Sequence, residues 1–282
     1  MHEDGFTRRY AEIRPRAALL SSRGARAVAR SLALRAAGTF RAMPATTPLR
    51  CHYLHYVYDD QVSAFRTLLR RLSDRFRFVP TQAVLEAIRG EAPTGRTAHL
   101  SFDDGFDNVY RNAFPVLLEL RIPCITFLPS SLVGASDEII RDAWWATYTR
   151  RPTRLLTWKQ AREMADAGHE FGSHTASHAR LSQLSGDRKR LYDEIVGSKK
   201  RIEDELSRPC RFLAWPFGTP RDIDDASREM IRAAGYEGCF SAVRGHVSPG
   251  RTDPLSIPRH HFEPQWPWSH VRYFAAGGGE AG

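Results

Sequence analysis

The chain has 282 residues, of which 42% are hydrophobic, and a formal net charge of +9. This composition supplies a sizeable core, and no run approaches the roughly 18 apolar residues that span a membrane, so we expect a soluble globular protein. Ten arginines and only three acidic residues lie within residues 1–50, whereas the rest is nearly balanced. The uneven charge argues against nucleic-acid binding as the main function.

The basic N-terminal arm, residues 1–46, mixes arginine with alanine, leucine and valine at spacings compatible with an amphipathic helix. Such a helix suits an anionic membrane surface, whereas a solvated terminus explains the same composition. No basic-then-apolar signal pattern occurs, which favours a cytoplasmic protein, peripheral at the membrane if the arm binds there. The widely spaced Cys51, Cys124, Cys210 and Cys239 favour reduced, packed thiols.

From residue 50 onward, helical and β-rich runs alternate. Thr81 begins a predicted helix that ends at Gly90 before the strand TAHLSF, and Thr157 with Gln160 forms a capping box for a helix before the strand HEFGS. A long predicted helix over residues 187–206 leads to CRFLAW. This alternation predicts a parallel sheet, most simply a closed or nearly closed β/α barrel, whose functional residues lie at the C-terminal ends of strands.

Two adjacent carboxylates, Asp103 and Asp104, directly follow the strand TAHLSF and precede Gly105. Because like charges repel, burying both costs free energy unless a cation or a shared proton relieves them. One aspartate capping the next helix is an alternative, but it explains one carboxylate rather than two. The pair therefore indicates a cation site at the end of this strand.

His174 and His178 follow the strand HEFGS, and their spacing would place both imidazoles on one face of a helical turn. Such pairs also occur by chance. Together with a carboxylate, however, two imidazoles form the three-ligand set of a catalytic zinc site, with a position open for water. We predict that Asp104, His174 and His178 bind Zn²⁺ or another divalent transition metal, and that Asp103 is the general base.

Three motifs, SFDDG, HTASH and WPFG, resemble in order and separation those of the polysaccharide deacetylases of the NodB-homology type, carbohydrate esterase family 4. The resemblance covers about residues 50–262 and implies an α/β fold, an irregular (β/α) barrel of the NodB-homology or glycoside hydrolase–deacetylase type. Together with the charge distribution, it leads us to expect a basic N-terminal arm over 1–46, a catalytic domain over 47–275 and a flexible tail over 276–282. It also implies the metal-binding and base roles given above, usually with zinc.

The resemblance implies further site residues. The backbone N–H of Phe217, after Pro216, would help to hold the oxyanion, and His55 in LHYVYDD would occupy the usual histidine position of the family's first strand. The sequence IPRH is similar to a late L-x-x-H motif that supplies a catalytic acid. His260 is therefore the predicted acid, with His261 as the alternative.

Two departures from the family pattern concern the residues around the base. The common R-P-P-Y-G motif carries an arginine that orients the base, but Ala214 stands at that position. Arg211 lies three residues earlier and would point to the other face of the strand. The D-x-x-D-W motif has no counterpart after Gly235.

The resemblance implies a metal-dependent hydrolase that removes N-acetyl or similar small acyl groups from amino sugars of a polysaccharide or glycan precursor, in polysaccharide biosynthesis. One alternative is a hydrolase of small cyclic amides or ureides in the same superfamily. Another is a catalytically weakened glycan-binding protein, which the missing arginine favours and the presence of Asp103 disfavours. Expected partners are an N-acetylated saccharide and, through the arm, an anionic membrane surface, with no nucleic acid.

Overall fold

The fold is an irregular, nearly closed barrel of parallel strands surrounded by helices, as the sequence predicted. The computed structural model describes residues 5–13, 29, 31–38, 48–91, 94–147 and 152–280. Within these ranges the strands follow the order β7-β6-β5-β4-β3-β1-β8, with β2 paired to β3. The strands are β1 Arg50–Leu54, β2 Arg77–Phe78, β3 Thr97–Phe102, β4 Ile125–Leu128, β5 Glu170–Ser173, β6 Phe212–Ala214, β7 Gly238–Phe240 and β8 Arg259–His261.

The last strand, β8, brings the two edges of the sheet together. It pairs in parallel with β1, where Arg259 lies opposite Cys51. On its other side Ile257 forms a bridge with Phe240, and the Arg259 N–H donates to the Val243 carbonyl at 2.8 Å. Strand β8 therefore connects the first strand to the seventh and closes the barrel.

The helices pack outside the barrel, and none in the described ranges is long and apolar enough to cross a membrane. The predicted helix over 187–206 is two α-helices joined by a π-helical turn, Asp193–Gly197. The helices are α1 Tyr10–Ile13, α2 Val62–Ser73, α3 Thr81–Arg89, α4 Phe114–Leu120, α5 Asp137–Thr147, α6 Trp158–Asp166, α7 Arg188–Tyr192, α8 Ser198–Leu206, α9 Asp225–Ala233 and α10 Trp268–Ala275.

Local sequence signals account for the helix ends. Helix α3 ends at Gly90, whose φ of 95° is a left-handed conformation that favours glycine. At the start of α6 the Thr157 hydroxyl accepts from the Gln160 N–H, and the Gln160 side chain accepts from the Thr157 N–H, so the predicted capping box is confirmed. The four cysteines are free and buried, as predicted, and burial raises the pKa of Cys51 and of Cys210 to about 12.

The described parts of the N-terminal arm pack against the barrel rather than extending into solvent. Residues 5–13, which we call the N-terminal segment, are tied to it by backbone hydrogen bonds from Thr7 to Pro152 at 2.9 Å and from Asp59 to Arg8 at 3.0 Å. Residues 31–38 are helical and lie beside α10. The amphipathic helix predicted for the arm falls largely outside the described residues, and the boundary after residue 46 stays a prediction.

The C-terminal residues also contact the barrel, although the sequence predicted a flexible tail from residue 276. The Glu280 carboxylate accepts from Arg50 Nε at 2.6 Å and lies 3.0 Å from His260 Nε2 and 2.9 Å from His246 Nδ1. These contacts hold Glu280 against β1 and β8, because Arg50 and His260 belong to those strands. These contacts concern Glu280, and the flexible tail expected over 276–282 stays a prediction.

Candidate active site

A cavity of about 370 Å³ opens at the C-terminal ends of the strands, within the size range of small-molecule sites. Strands β1, β3, β5, β6 and β8 all end at its walls, as expected for a β/α barrel. The polar residues that line it include Asp103, Asp104, His174, His178, Arg259 and His261.

A tight turn after β3 places the two aspartates at the floor of the cavity. Asp104 and Gly105 have φ values of 70° and 64°, so the chain reverses through two left-handed residues. A Cβ at Gly105 would lie 2.8 Å from a methyl group of Leu128, which makes glycine the residue that fits there. Asp103 and Asp104 are both 4% exposed, so the predicted burial of two adjacent carboxylates is observed.

Asp104, His174 and His178 form a buried group whose candidate ligand atoms all lie within 4.8 Å of one another. Asp104 Oδ1 is 3.3 Å from Nε2 of each histidine. On the far side of the ring, His174 Nδ1 lies 2.6 Å from the Ala214 carbonyl oxygen and therefore donates to it. The His174 Nε2 atom that faces Asp104 must then carry a proton or bind a cation, so the donor set fits a divalent metal.

The histidine pair comes from an irregular loop, and the helical turn predicted for it is wrong. Thr175 and His178 have φ values of 64° and 62°, which no helix tolerates. Glu194, which is 5% exposed, supports this loop from the π-helical turn before α8. Its carboxylate accepts from the N–H groups of Ala176 and Ser177, each at 2.9 Å. The loop geometry, rather than helical periodicity, brings the two imidazoles together.

Arg259 at the start of β8 pairs with the predicted base, a relationship that the sequence analysis missed. Its Nη1 and Nη2 atoms donate to Oδ1 and Oδ2 of Asp103 at 2.7 and 2.8 Å. Burial alone would raise the pKa of Asp103, but the charge and hydrogen bonds of Arg259 outweigh it and hold this pKa below its usual value. Arg259 thus makes the contact with Asp103 that was expected of an arginine at position 214.

His260, the predicted catalytic acid, does not face the cavity. Adjacent residues of a strand point to opposite sides, and His260 is directed away from the cavity to Glu280 and the buried ring of His52. His261 lines the cavity, where its ring centroid lies 5.1 Å from that of His55. The alternative residue, His261, therefore has the position that the acid would need.

The remaining predicted site residues are divided between the cavity wall and its surroundings. His55 and Phe217 line the cavity, whereas Pro216 is not among its lining residues. Phe217 has a φ of 64°, and its ring lies against the ring of His178 and the guanidinium of Arg180. The role of the Phe217 N–H in holding an oxyanion stays a prediction.

The chain shows similarity to known proteins over the part that carries this site. Residues 90–239 match the model of the family described as polysaccharide deacetylase. The poly-β-1,6-N-acetyl-D-glucosamine N-deacetylase of Staphylococcus aureus strain MRSA252 is 25% identical over 178 residues, covering 61% of this chain and 56% of the relative. The chain thus spans just over half the length of the curated relatives it matches.

Solved structures share the fold over most of the chain. IcaB from Ammonifex degensii superposes with a TM-score of 0.68 at 24% identity, covering 83% of this chain and all of that protein. The Streptococcus pyogenes deacetylase PplD, solved with acetate, gives a TM-score of 0.65 at 19% identity over 82% of this chain and 97% of its own. The family match spans more than half of the chain and includes Asp103 and the three candidate metal ligands, and on this basis the chain belongs to the polysaccharide deacetylase family.

Proposed function

We propose that this protein is a metal-dependent hydrolase that removes acetyl, or similarly small acyl groups, from the nitrogen of amino sugars. The observation that carries the proposal is the buried set of Asp104, His174 and His178 beside Asp103, whose carboxylate is paired with Arg259. Membership of the polysaccharide deacetylase family supports it, and favours it over hydrolysis of cyclic amides or loss of turnover.

The metal that we propose is Zn²⁺, held by Asp104, His174 and His178. Two imidazole nitrogens and one carboxylate oxygen form a typical ligand set of catalytic zinc. When bound, such a metal polarises an acyl carbonyl and lowers the pKa of water. The Ala214 carbonyl fixes the His174 ring with Nε2 directed to the metal position.

Asp103 is the proposed general base. Arg259 keeps this carboxylate ionised and fixes its plane, and each oxygen retains a lone pair that can accept a proton from the attacking water. As the carbon–nitrogen bond breaks, the same proton passes from Asp103 to the leaving nitrogen. The products are then an amine and a carboxylic acid, so the atoms and charges balance.

His261 is the residue that we propose to face the leaving group. Burial, together with the nearby His55, lowers the pKa of His261 to about 3, so the ring is neutral at neutral pH. A neutral imidazole can donate its single N–H to the leaving nitrogen as a hydrogen bond. In this scheme His261 orients the leaving group, and Asp103 carries the proton.

The substrate that we propose to test first is β-1,6-linked N-acetylglucosamine, the polymer in the name of the Staphylococcus aureus relatives. Zinc-loaded protein is incubated with a panel of N-acetylated sugars and with cyclic ureides, and free acetate or ring-opened product is measured. We expect acetate from the sugars with wild-type protein and very little with Asp103→Asn. Turnover of the ureides alone, or equal acetate release by both proteins, would contradict the proposal.

The remaining expectations, a cytoplasmic location and a membrane contact of the basic arm, form a separate proposal. Arginine-rich residues of the arm would attract anionic lipid headgroups at about 1 kcal/mol per charge near the surface. Sedimentation with vesicles of anionic or neutral lipid measures this directly. Binding that is salt-sensitive and specific for anionic vesicles would support it, and no binding to either kind would contradict it.

A further inference from the structure

We propose that the N-terminal segment, residues 5–13, completes a second sugar-binding subsite beside the hydrolytic centre. This inference rests on the proposed function and deepens it, because it makes the protein selective for a glycan of at least two sugars. Ile13, the last residue of α1, lines the same cavity as Asp104 and the two histidines. A segment expected from the sequence to be an appendage thus contributes directly to the cavity wall.

The N-terminal segment is anchored firmly enough to form part of a binding site. Phe6 is 2% exposed and packs with its ring centroid 4.5 Å from the guanidinium of Arg141 and 4.3 Å from that of Arg154. The Asp60 carboxylate accepts from the Tyr10 N–H at 2.7 Å and from the next N–H at 3.1 Å, which caps the first turn of α1. These contacts join the segment to the loops after β1 and α5.

The wall next to Ile13 has the chemistry of a carbohydrate subsite. Tyr56, Tyr58 and Phe106 line the cavity there, and the Tyr56 and Tyr58 ring centroids are 4.8 Å apart. Flat aromatic surfaces suit sugar rings, which present C–H groups on one face and hydroxyl groups at their edges. Tyr58 and Phe106 are only 2% and 3% exposed and pack against Tyr56, so the partly exposed ring of Tyr56 supplies the surface on which a sugar ring can stack.

Glu263 provides the polar part of the same wall. Its carboxylate lines the cavity and lies 3.4 Å from the hydroxyl of Tyr56 on one oxygen and 3.4 Å from that of Tyr10 on the other. It also accepts from the side chain of Gln265. A carboxylate has about four lone-pair positions, and the contacts to Tyr10 and Tyr56 are long, so acceptor capacity remains for sugar hydroxyl groups.

Tyr10 connects the N-terminal segment to this acceptor. Its ring lies 6.2 Å from that of Tyr56, and its hydroxyl approaches Glu263, so Tyr10 positions both groups without lining the cavity itself. Ile13 contacts the substrate in this proposal, whereas Tyr10 is a positioning residue. The subsite would hold a neighbouring sugar of the glycan, while the sugar to be deacetylated lies at Asp103.

The test compares an N-acetylated β-1,6-linked glucosamine trimer with the N-acetylglucosamine monosaccharide. The variants are Ile13→Ser, Tyr10→Phe and Glu263→Gln, and the matched controls are Ile139→Ser and Tyr192→Phe, whose side chains are exposed on α5 and α7. We expect each of the three variants to lower kcat/KM for the trimer about five- to tenfold, as for one lost hydrogen bond or apolar contact. Their kcat/KM for the monosaccharide and their zinc content should match wild type, as should all values of the controls.

A binding titration keeps the inference separate from the proposed hydrolysis. Calorimetry with the trimer is performed in the Asp103→Asn background, with and without each variant, so it needs no turnover. Weaker trimer binding in the Ile13, Tyr10 and Glu263 variants, with unchanged monosaccharide binding, supports the subsite even if acetate release is absent. Trimer affinity equal to that of the Asp103→Asn parent in all three variants would overturn the subsite and leave the proposed hydrolysis intact.

Discussion

Arg259 and Asp103 form a buried, bidentate ion pair between β8 and the end of β3, although they are 156 residues apart in the chain. The arginine is 1% exposed and also donates to the hydroxyl of Ser101 and the carbonyl of Ser241. Because Arg259 donates to Ser101, Ser241 and Asp103 at the same time, its guanidinium is held in one orientation. The ion pair therefore fixes the plane of the Asp103 carboxylate next to the candidate metal site. This pairing gives the first prediction.

Arg259→Lys should reduce turnover more than it reduces metal binding. Lysine keeps the positive charge but cannot form the two parallel hydrogen bonds, so Asp103 would lose its fixed orientation. We expect kcat to fall about 100-fold, within the usual contribution of a general base. Acetate release and zinc content measure the two effects, and Arg244→Lys, which leaves the Asp103 pair in place, is the control. Unchanged kcat in Arg259→Lys would contradict the positioning role.

The two adjacent aspartates should differ in metal content when each is changed to asparagine. Asp103→Asn should retain one zinc per chain and lose most turnover, because an amide cannot accept the proton of water. Asp104→Asn and His174→Ala should lose zinc, because each removes one of three predicted ligands. Elemental analysis of the purified variants decides this, and equal zinc loss in both asparagine variants would contradict the division of roles.

His261 and His260 should differ in what their replacement changes. His261→Gln should lower kcat at least tenfold with little change in the unfolding temperature, since His261 faces the cavity. His260→Gln should lower the unfolding temperature with little change in kcat, because it disturbs the buried contact with Glu280. Rates and thermal unfolding of the same preparations give the comparison. The reverse pattern would show that His260, rather than His261, acts on the leaving group.

Glu194 should influence metal affinity through the loop that carries both histidines. Glu194→Ala removes the acceptor of two backbone N–H groups and should weaken zinc binding about tenfold, as seen for residues that support metal ligands. Glu194→Gln keeps one carbonyl oxygen and should recover part of the affinity. Competition with a zinc chelator measures it, with the exposed Glu138→Ala as control. Equal zinc affinities in wild type and in all three variants would contradict the role of Glu194 in supporting the histidine loop.

Glu280 should make stability depend on pH in the acidic range. Burial would raise its pKa, but hydrogen bonds from His260, Arg50 and His246 outweigh burial and hold the pKa well below its ordinary 4.5. A lowered folded-state pKa stabilises the protein above the unfolded value, and this stabilisation disappears as pH falls through the folded value. Glu280→Gln should therefore lower the free energy of unfolding by about 1 to 3 kcal/mol at pH 7. The difference from wild type should shrink below about pH 4.5. A difference in the free energy of unfolding between wild type and Glu280→Gln that stays constant from pH 7 to pH 3 would contradict this role of Glu280.

Much of the fold and the grouping of the candidate metal ligands could be predicted because the signals are local. Gly90 and the Thr157 capping box mark helix ends through contacts within a few residues. Asp104 and the two histidines are recognisable because all three lie within five residues of a strand end, and parallel strands end at one side of the barrel. The family match covers this same region, residues 90–239.

The parts that failed depend on contacts between distant residues. Arg259 lies outside the family match, and its pairing with Asp103 requires β8 to be placed next to β1. Strand alternation alone puts Arg259 and His261 on one face of β8 and His260 on the other. The sequence contained this information, but the L-x-x-H motif was given more weight when His260 was predicted to be the acid. The roles of the N-terminal segment and of Glu280 depend equally on packing against residues far along the chain.

The closure of the barrel by β8 has a consequence for how the protein becomes active during synthesis. Residues 104–178, which supply the candidate metal ligands, leave the ribosome well before Arg259, which holds the proposed base. In the nascent chain, the candidate metal ligands would therefore emerge before Asp103 has a guanidinium beside it. Joining the last strand to the first requires closing a long loop, which is among the slower steps of folding. Acquisition of metal and acquisition of activity would then be separate events in time, and the second would wait for the C-terminal strand.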